Sequence, residues 1–142
     1  MNEDLLKIAN QATDLATSLG ADEVTTSISK SVSTEMSQRE GLVEKTQQSH
    51  SMSISFSLLV DGRYSVHSAS DPRPEALRTF LQKAIDATRY LEPDENRGLP
   101  ERERMGSFDA RLLELYDSGW KNRTPALRRQ DLSRLEQACL DE

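Results

Sequence analysis

Cysteine is nearly missing from this chain. Its one example, Cys139, cannot close an internal disulfide, so no cross-link shapes the fold and a reducing, cytosolic setting is expected. Long apolar runs are missing as well, so no segment reads as a membrane span. The opening Met1-Asn2-Glu3-Asp4 is acidic where a secretion signal would be basic. Positive charge is in deficit: 18 Lys and Arg stand against 24 Asp and Glu, for a net charge of −6. That balance argues against nucleic acid and against an anionic membrane surface as partners. The six glycines are scattered at Gly20, Gly41, Gly62, Gly98, Gly106 and Gly119, so no glycine-rich phosphate loop is present. There is no internal repeat and no low-complexity tract.

What is there fits a single domain over residues 1–142, long enough to bury roughly two thirds of its unfolded surface. Leu5, Ile8, Ala9, Ala12, Leu15, Ala16 and Leu19 fall on one helical stripe, and Gly20 stands where a left-handed cap is wanted. Val24, Thr26 and Ile28, then Val32, Thr34 and Met36, alternate with polar residues as strands do. Glu40-Gly41 supplies a turn into a polar strand over 42–48. Met52, Ile54, Phe56, Leu58 and Val60 then alternate with Ser53, Ser55, Ser57 and Leu59, which gives one apolar face and one row of small hydroxyls. Asp61-Gly62 and Tyr64-Ser65-Val66 complete a hairpin. A three-residue loop, Val60-Asp61-Gly62, would place Tyr64 and Val66 on the apolar face with Phe56, so that register is expected, with a left-handed Gly62.

A second helix is expected from Asp71-Pro72 or Pro74, with Leu77, Phe80, Leu81, Ala84, Ile85 and Thr88 facing inward. Residues 92–107 read as a long loop and Leu112 to Tyr116 as a strand or one helical turn. Thr124-Pro125 opens a last helix, with Leu127, Asp131, Leu132, Leu135 and Cys139 as its stripe. The expected fold is α+β: a two-layer sandwich with a mostly antiparallel sheet of about four strands over 22–69, backed by helices 3–19, 73–91 and 125–139. The halt at Glu142, without a cap, is what a segment of something longer would show.

Chemistry is sparse. A catalytic zinc needs three protein ligands, and the candidates are His50, His67 and Cys139. The histidines fall on different strands and Cys139 on an inner helical stripe, so surface or cross-strand histidines and a buried cysteine are expected. A Cys-His hydrolase remains a third reading. The hydroxyl row Ser53, Ser55, Ser57 offers a flat face for a second layer or an extended peptide, and strand 42–48 offers an edge for an added strand.

Taken in order, these signals resemble a known family. The series runs Leu19-Gly20-Ala21-Asp22-Glu23-Val24, Arg39-Glu40-Gly41-Leu42-Val43-Glu44, Asp61-Gly62-Arg63 and Ser68-Ala69-Ser70-Asp71. It continues with Ala84, Ala87 and Tyr90, Asp94, Leu113 to Asp117, and Glu136-Gln137-Ala138. It is similar to the N-terminal domain of TldD/PmbA metallopeptidases, nearer the PmbA (TldE) side, a family also labelled modulators of DNA gyrase. The resemblance implies a longer protein whose β-rich C-terminal domain, in TldD-type members, holds zinc through a His-Glu-x-x-x-His helix and a later cysteine. PmbA-type members lack that motif and pair with TldD, and together they cut unfolded or precursor peptides. No His-Glu-x-x-x-His occurs in this chain, so no metal ligand or cofactor is carried over and the chain alone is expected to be inactive. The implied partners are the family's C-terminal domain, a TldD- or PmbA-type subunit in a homo- or heterodimer, and a peptide. Arg39, Gly41, Glu44, Asp61, Gly62 and Arg63 carry over as turn residues with a candidate place along a peptide channel. The alternative function is a free-standing peptide- or protein-binding adaptor.

Overall fold

A computed structural model describes residues 2–104, 106, 110–115 and 117–140. Its elements are α1 (Asn2–Ser18), β1 (Glu23–Arg39), β2 (Leu42–Val60), β3 (Arg63–Ala69), α2 (Pro74–Thr88) and α3 (Pro125–Leu140), with three short 3-10 turns before α3. The fold class is the expected α+β: an antiparallel sheet in the order β1-β2-β3, with helices. It has three strands rather than about four. The expected strands 42–48 and 52–60 are one element, because no Gly, Pro, Asn or Asp between them breaks the extended chain. Residues 105, 107 and 116, from the expected loop and apolar run, lie outside the described part.

Two compact units make up the chain, and β1 and β2 contribute to both. The first comprises residues 1–31 and 51–105. Its core is the alternating set Ile54, Phe56, Leu58 and Val60 of β2, packed with Leu77, Leu81, Ala84 and Ile85 of α2 and with Ala12, Ala16 and Ala21. Each large side chain of this set contributes about 1.5–3 kcal/mol through burial. The alanines of α1 leave room for close approach, and the Thr13 hydroxyl donates to the Thr26 hydroxyl of β1 at 2.7 Å. Gly20, at φ +102, turns the chain out of α1 as its place in the sequence implies. Pro74 opens α2 at its first turn. Just before it, hydrogen bonds from Arg73 hold the Asp71 carboxyl down at about 2.

The β2–β3 register departs from expectation. Leu59 pairs with Tyr64, Ser57 with Val66 and Phe56 with His67, so the loop is the two-residue Asp61-Gly62. Both loop residues have positive φ, +49 and +70, which is the twist-matched hairpin turn. Gly62 is left-handed as expected, but Tyr64 and Val66 lie on the serine face and Ser65, His67 and Ala69 on the core face. The period-two argument failed because α2 supplies partners for a polar β3. The Thr88 and Ser65 hydroxyls bond at 2.6 Å, and Phe80 meets the His67 ring edge-on at 6.4 Å.

The second unit comprises residues 32–50 and 106–142. Its described residues include none that is buried, and α3 has no buried residue at all. A 3-10 turn spans Ala110–Leu113, so of the expected run Leu112–Tyr116 only Leu112 and Leu113 take the helical form. Polar contacts hold this unit. The Glu136 carboxylate accepts from the Gly41 amide at 3.0 Å and from the Gln38 side chain at 2.8 Å, and these bonds, Gln38 first, lower its pKa. Arg128 stacks on Trp120 at 4.5 Å, and Arg123 pairs with Asp131.

Candidate functional site

In the first unit the sheet presents a face turned away from its core. Directly opposed residues share a face in an antiparallel pair, so Ser55, Ser57 and Leu59 of β2 lie beside Ser68, Val66 and Tyr64 of β3, and Ser53 continues the row. The Ser55 and Ser68 hydroxyls bond each other at 2.7 Å, and the Tyr64 hydroxyl donates to Ser57 at 3.3 Å. Val66 is 58% exposed. The segment after α2 reaches the same end of the sheet: the Asp94 amide donates to the Gly62 carbonyl at 3.1 Å, and the Arg97 guanidinium lies 5.3 Å from the Tyr64 ring centre. Hydroxyls on this face can both donate and accept, and no charged side chain of β2 or β3 stands among them.

The six turn residues fall into two groups at opposite ends of β2. Asp61, Gly62 and Arg63 form the β2–β3 turn. Asp22 accepts from the Asp61 amide at 2.7 Å, and Arg63 donates to the Leu91 and Asp61 carbonyls, each at 2.8 Å. This trio ties the turn to the end of α2. Arg39, Gly41 and Glu44 surround the β1–β2 turn. Gly41 is held by Glu136, while Arg39 and Glu44 are exposed charges 3.8 Å apart.

The histidines and the cysteine do not assemble a reactive cluster. Among the described residues, no three His, Cys, Asp or Glu side chains gather closely enough to hold a metal ion. The zinc implied by the resemblance therefore does not fit the residues present here. His50 is exposed on β2. Cys139 is exposed, not buried as expected, because α3 turns no residue into a core. His67 bonds Ser65 at 3.0 Å, and burial lowers its pKa by disfavouring the charged ring. Ser65 is shared with Thr88, whose own hydroxyl also reaches the Ala84 carbonyl at 2.7 Å. This Ser-His pair resembles a nucleophile and its base, yet it closes a polar chain at the edge of the core. The available signal was Thr88 on an inward helical stripe, since a buried hydroxyl needs a partner.

A pocket of about 380 Å³ lies within the second unit, lined by Met36, Trp120, Arg128, Asp131, Leu132 and Leu135 among others. Among its lining charges, Asp131 pairs with Arg123 and Arg128 stacks on Trp120. No helix among the described residues is long and apolar enough to cross a membrane.

Residues 26–88 match the sequence model of PmbA/TldA metallopeptidase domain 1. The metalloprotease PmbA of Escherichia coli O157:H7 is 28% identical over 137 residues, which is 94% of this chain and 30% of that protein. A crystal structure from Bacteroides thetaiotaomicron, described as a modulator of DNA gyrase, superimposes with a TM-score of 0.74 at 32% identity, over 84% of this chain and 27% of the other. TldE from Thermococcus kodakarensis gives a TM-score of 0.58 at 16% identity, over 78% of this chain and 25% of the other, a likeness of fold alone. The chain thus spans less than a third of the length of these relatives. Through the first domain that residues 26–88 match, this chain is similar to the PmbA/TldD metallopeptidases.

Proposed function

We propose that this chain is the non-catalytic N-terminal domain of a PmbA/TldD-type peptidase, walling the chamber for unfolded or precursor peptides and helping subunits assemble. The observation that carries this reading is the two-sided sheet: one face closed by α2, the other a row of small hydroxyls without charge. Ser53, Ser55 and Ser57 are the residues proposed to face a peptide or a further layer. Arg39 and Glu44, exposed beside the β1–β2 turn, are proposed to meet a peptide through charge. Asp61, Gly62 and Arg63 act by holding the β2–β3 turn. The proposed setting is the cytoplasm and the proposed partner a TldD- or PmbA-type subunit, with the metal supplied outside these residues.

Two measurements test the reading. Metal analysis of the purified chain is expected to find well under one zinc per chain. Cleavage of an unfolded peptide is expected only when a TldD-type subunit is added. One tightly held zinc per chain, or peptide cleavage by the chain alone, would overturn it.

A further inference from the structure

α3 turns four residues partly inward, and three of them, Arg128, Asp131 and Leu132, line the pocket of about 380 Å³ in the second unit. A helix packed on an apolar core would not carry two charges on that face, because their desolvation opposes folding. β1 adds Thr34 and Met36, two residues apart and so on one face of the strand. The volume falls in the range of roughly 300–1,000 Å³ usual for small-ligand sites.

The lining has an apolar part and a charged part. Met36, Leu132, Leu135 and Trp120 form an apolar wall, and Leu135 and Trp120 are still exposed, so a ligand that covers them gains by burial. The charges are balanced: two arginines and two aspartates. Arg123 and Asp131 pair with each other. Arg128 is fixed against the Trp120 ring and donates through Nε to the Arg123 carbonyl at 3.2 Å, and no described carboxylate pairs with its other nitrogens. Asp117 is fixed by the Gly119 amide at 2.7 Å, and no described cation pairs with it. One held cation and one held anion thus stand in the same lining as the apolar wall.

We infer that this pocket binds a free α-amino acid with an aliphatic side chain. The carboxylate goes to the open edge of Arg128, the ammonium to Asp117 and the side chain to Met36, Leu132 and Leu135. Charge complementarity selects this ligand. A net anion or a net cation would upset a lining whose charges cancel, whereas a zwitterion preserves the balance. The same argument disfavours a peptide end, whose terminal residue carries only one of the two charges. Free amino acids are the final products of peptide cleavage, so occupancy would report product; that significance rests on the function proposed above, and the site itself does not.

Trp120 is the chain's one tryptophan, so its emission reads the pocket directly. Titration of the protein with L-leucine should give a saturable change, confirmed by calorimetry. N-acetyl-L-leucine, L-leucinamide and glycine each lack one of the three contacts and should bind at least tenfold more weakly. Arg128→Gln and Leu132→Arg should each weaken leucine at least tenfold by calorimetry, and Gln82→Ala on α2 should leave it unchanged. Should either pocket variant disturb the fold, as read by circular dichroism, the analogue series on the unaltered protein decides. No saturable binding of leucine up to tens of millimolar overturns the inference. So does binding indifferent to both folded pocket variants, or either capped analogue binding as tightly as leucine, which would make this a peptide-end site. The metal and cleavage assays above are unaffected by any of these results.

Discussion

The two compact units are built on opposite plans. The first buries four alternating residues of one strand against a helix stripe, and its polar groups fill in at the edge. The second buries none of its described residues and depends on ion pairs, a cation–aromatic stack and side-chain bonds to a turn. Burial of aliphatic and aromatic surface is worth kilocalories per residue, whereas exposed ion pairs contribute about 0–1 kcal/mol. Stability therefore resides in residues 2–31 and 51–104, and the polar unit is the one with surface left to offer.

The sharpest way to break this contrast is Phe56→Ala. Phe56 is fully buried and contacts Phe80, and its truncation should cost about 3–5 kcal/mol in urea denaturation. A loss below about 1 kcal/mol would mean that the first unit has no such core. Gly62→Ala should cost about 1–2 kcal/mol by the same measurement. Space is not the reason, since an added Cβ would come no closer than 4.0 Å to Pro93; the left-handed backbone is. His67 gives a smaller effect that depends on pH. Its folded pKa lies below the ordinary imidazole value of 6.5, so between the two the unfolded chain binds more protons. The stabilisation is present above pH 6.5 and is lost as pH falls through the folded value. A urea midpoint series from pH 7.5 to 5 should show that decline, and His67→Asn should flatten it. At the bottom of the scale, Leu135→Ala on α3, 64% exposed, should move stability by no more than about 0.5 kcal/mol. A large loss there would erase the distinction between the units.

Much of this was legible in the sequence. The alanine-rich stripe of α1, the run Ile54-Phe56-Leu58-Val60 and the inward face of α2 appear where periodicity sets them, since each follows from local geometry. The hairpin register was not legible. Tyr64 and Val66 look like core residues by polarity, yet His67 and Ser65 take the inner face because Phe80 and Thr88 wait there, and those partners lie on a helix later in the chain. Cys139 was misread for a related reason. A stripe on α3 implies burial only where a core exists to receive it, and Leu135 and Leu127 stay exposed. Of the site, the hydroxyl row could be read from alternation alone. Its companions Tyr64 and Ser68 could not, because they depend on the register.

The placement of Trp120 has a practical outcome. It is the chain's one tryptophan, half exposed beneath Arg128. Its emission reports on the polar unit and is blind to the environment of Phe56. A fluorescence melt and an ellipticity melt of the same sample thus watch different parts of the molecule. Any gap between their midpoints measures how independently those parts come apart.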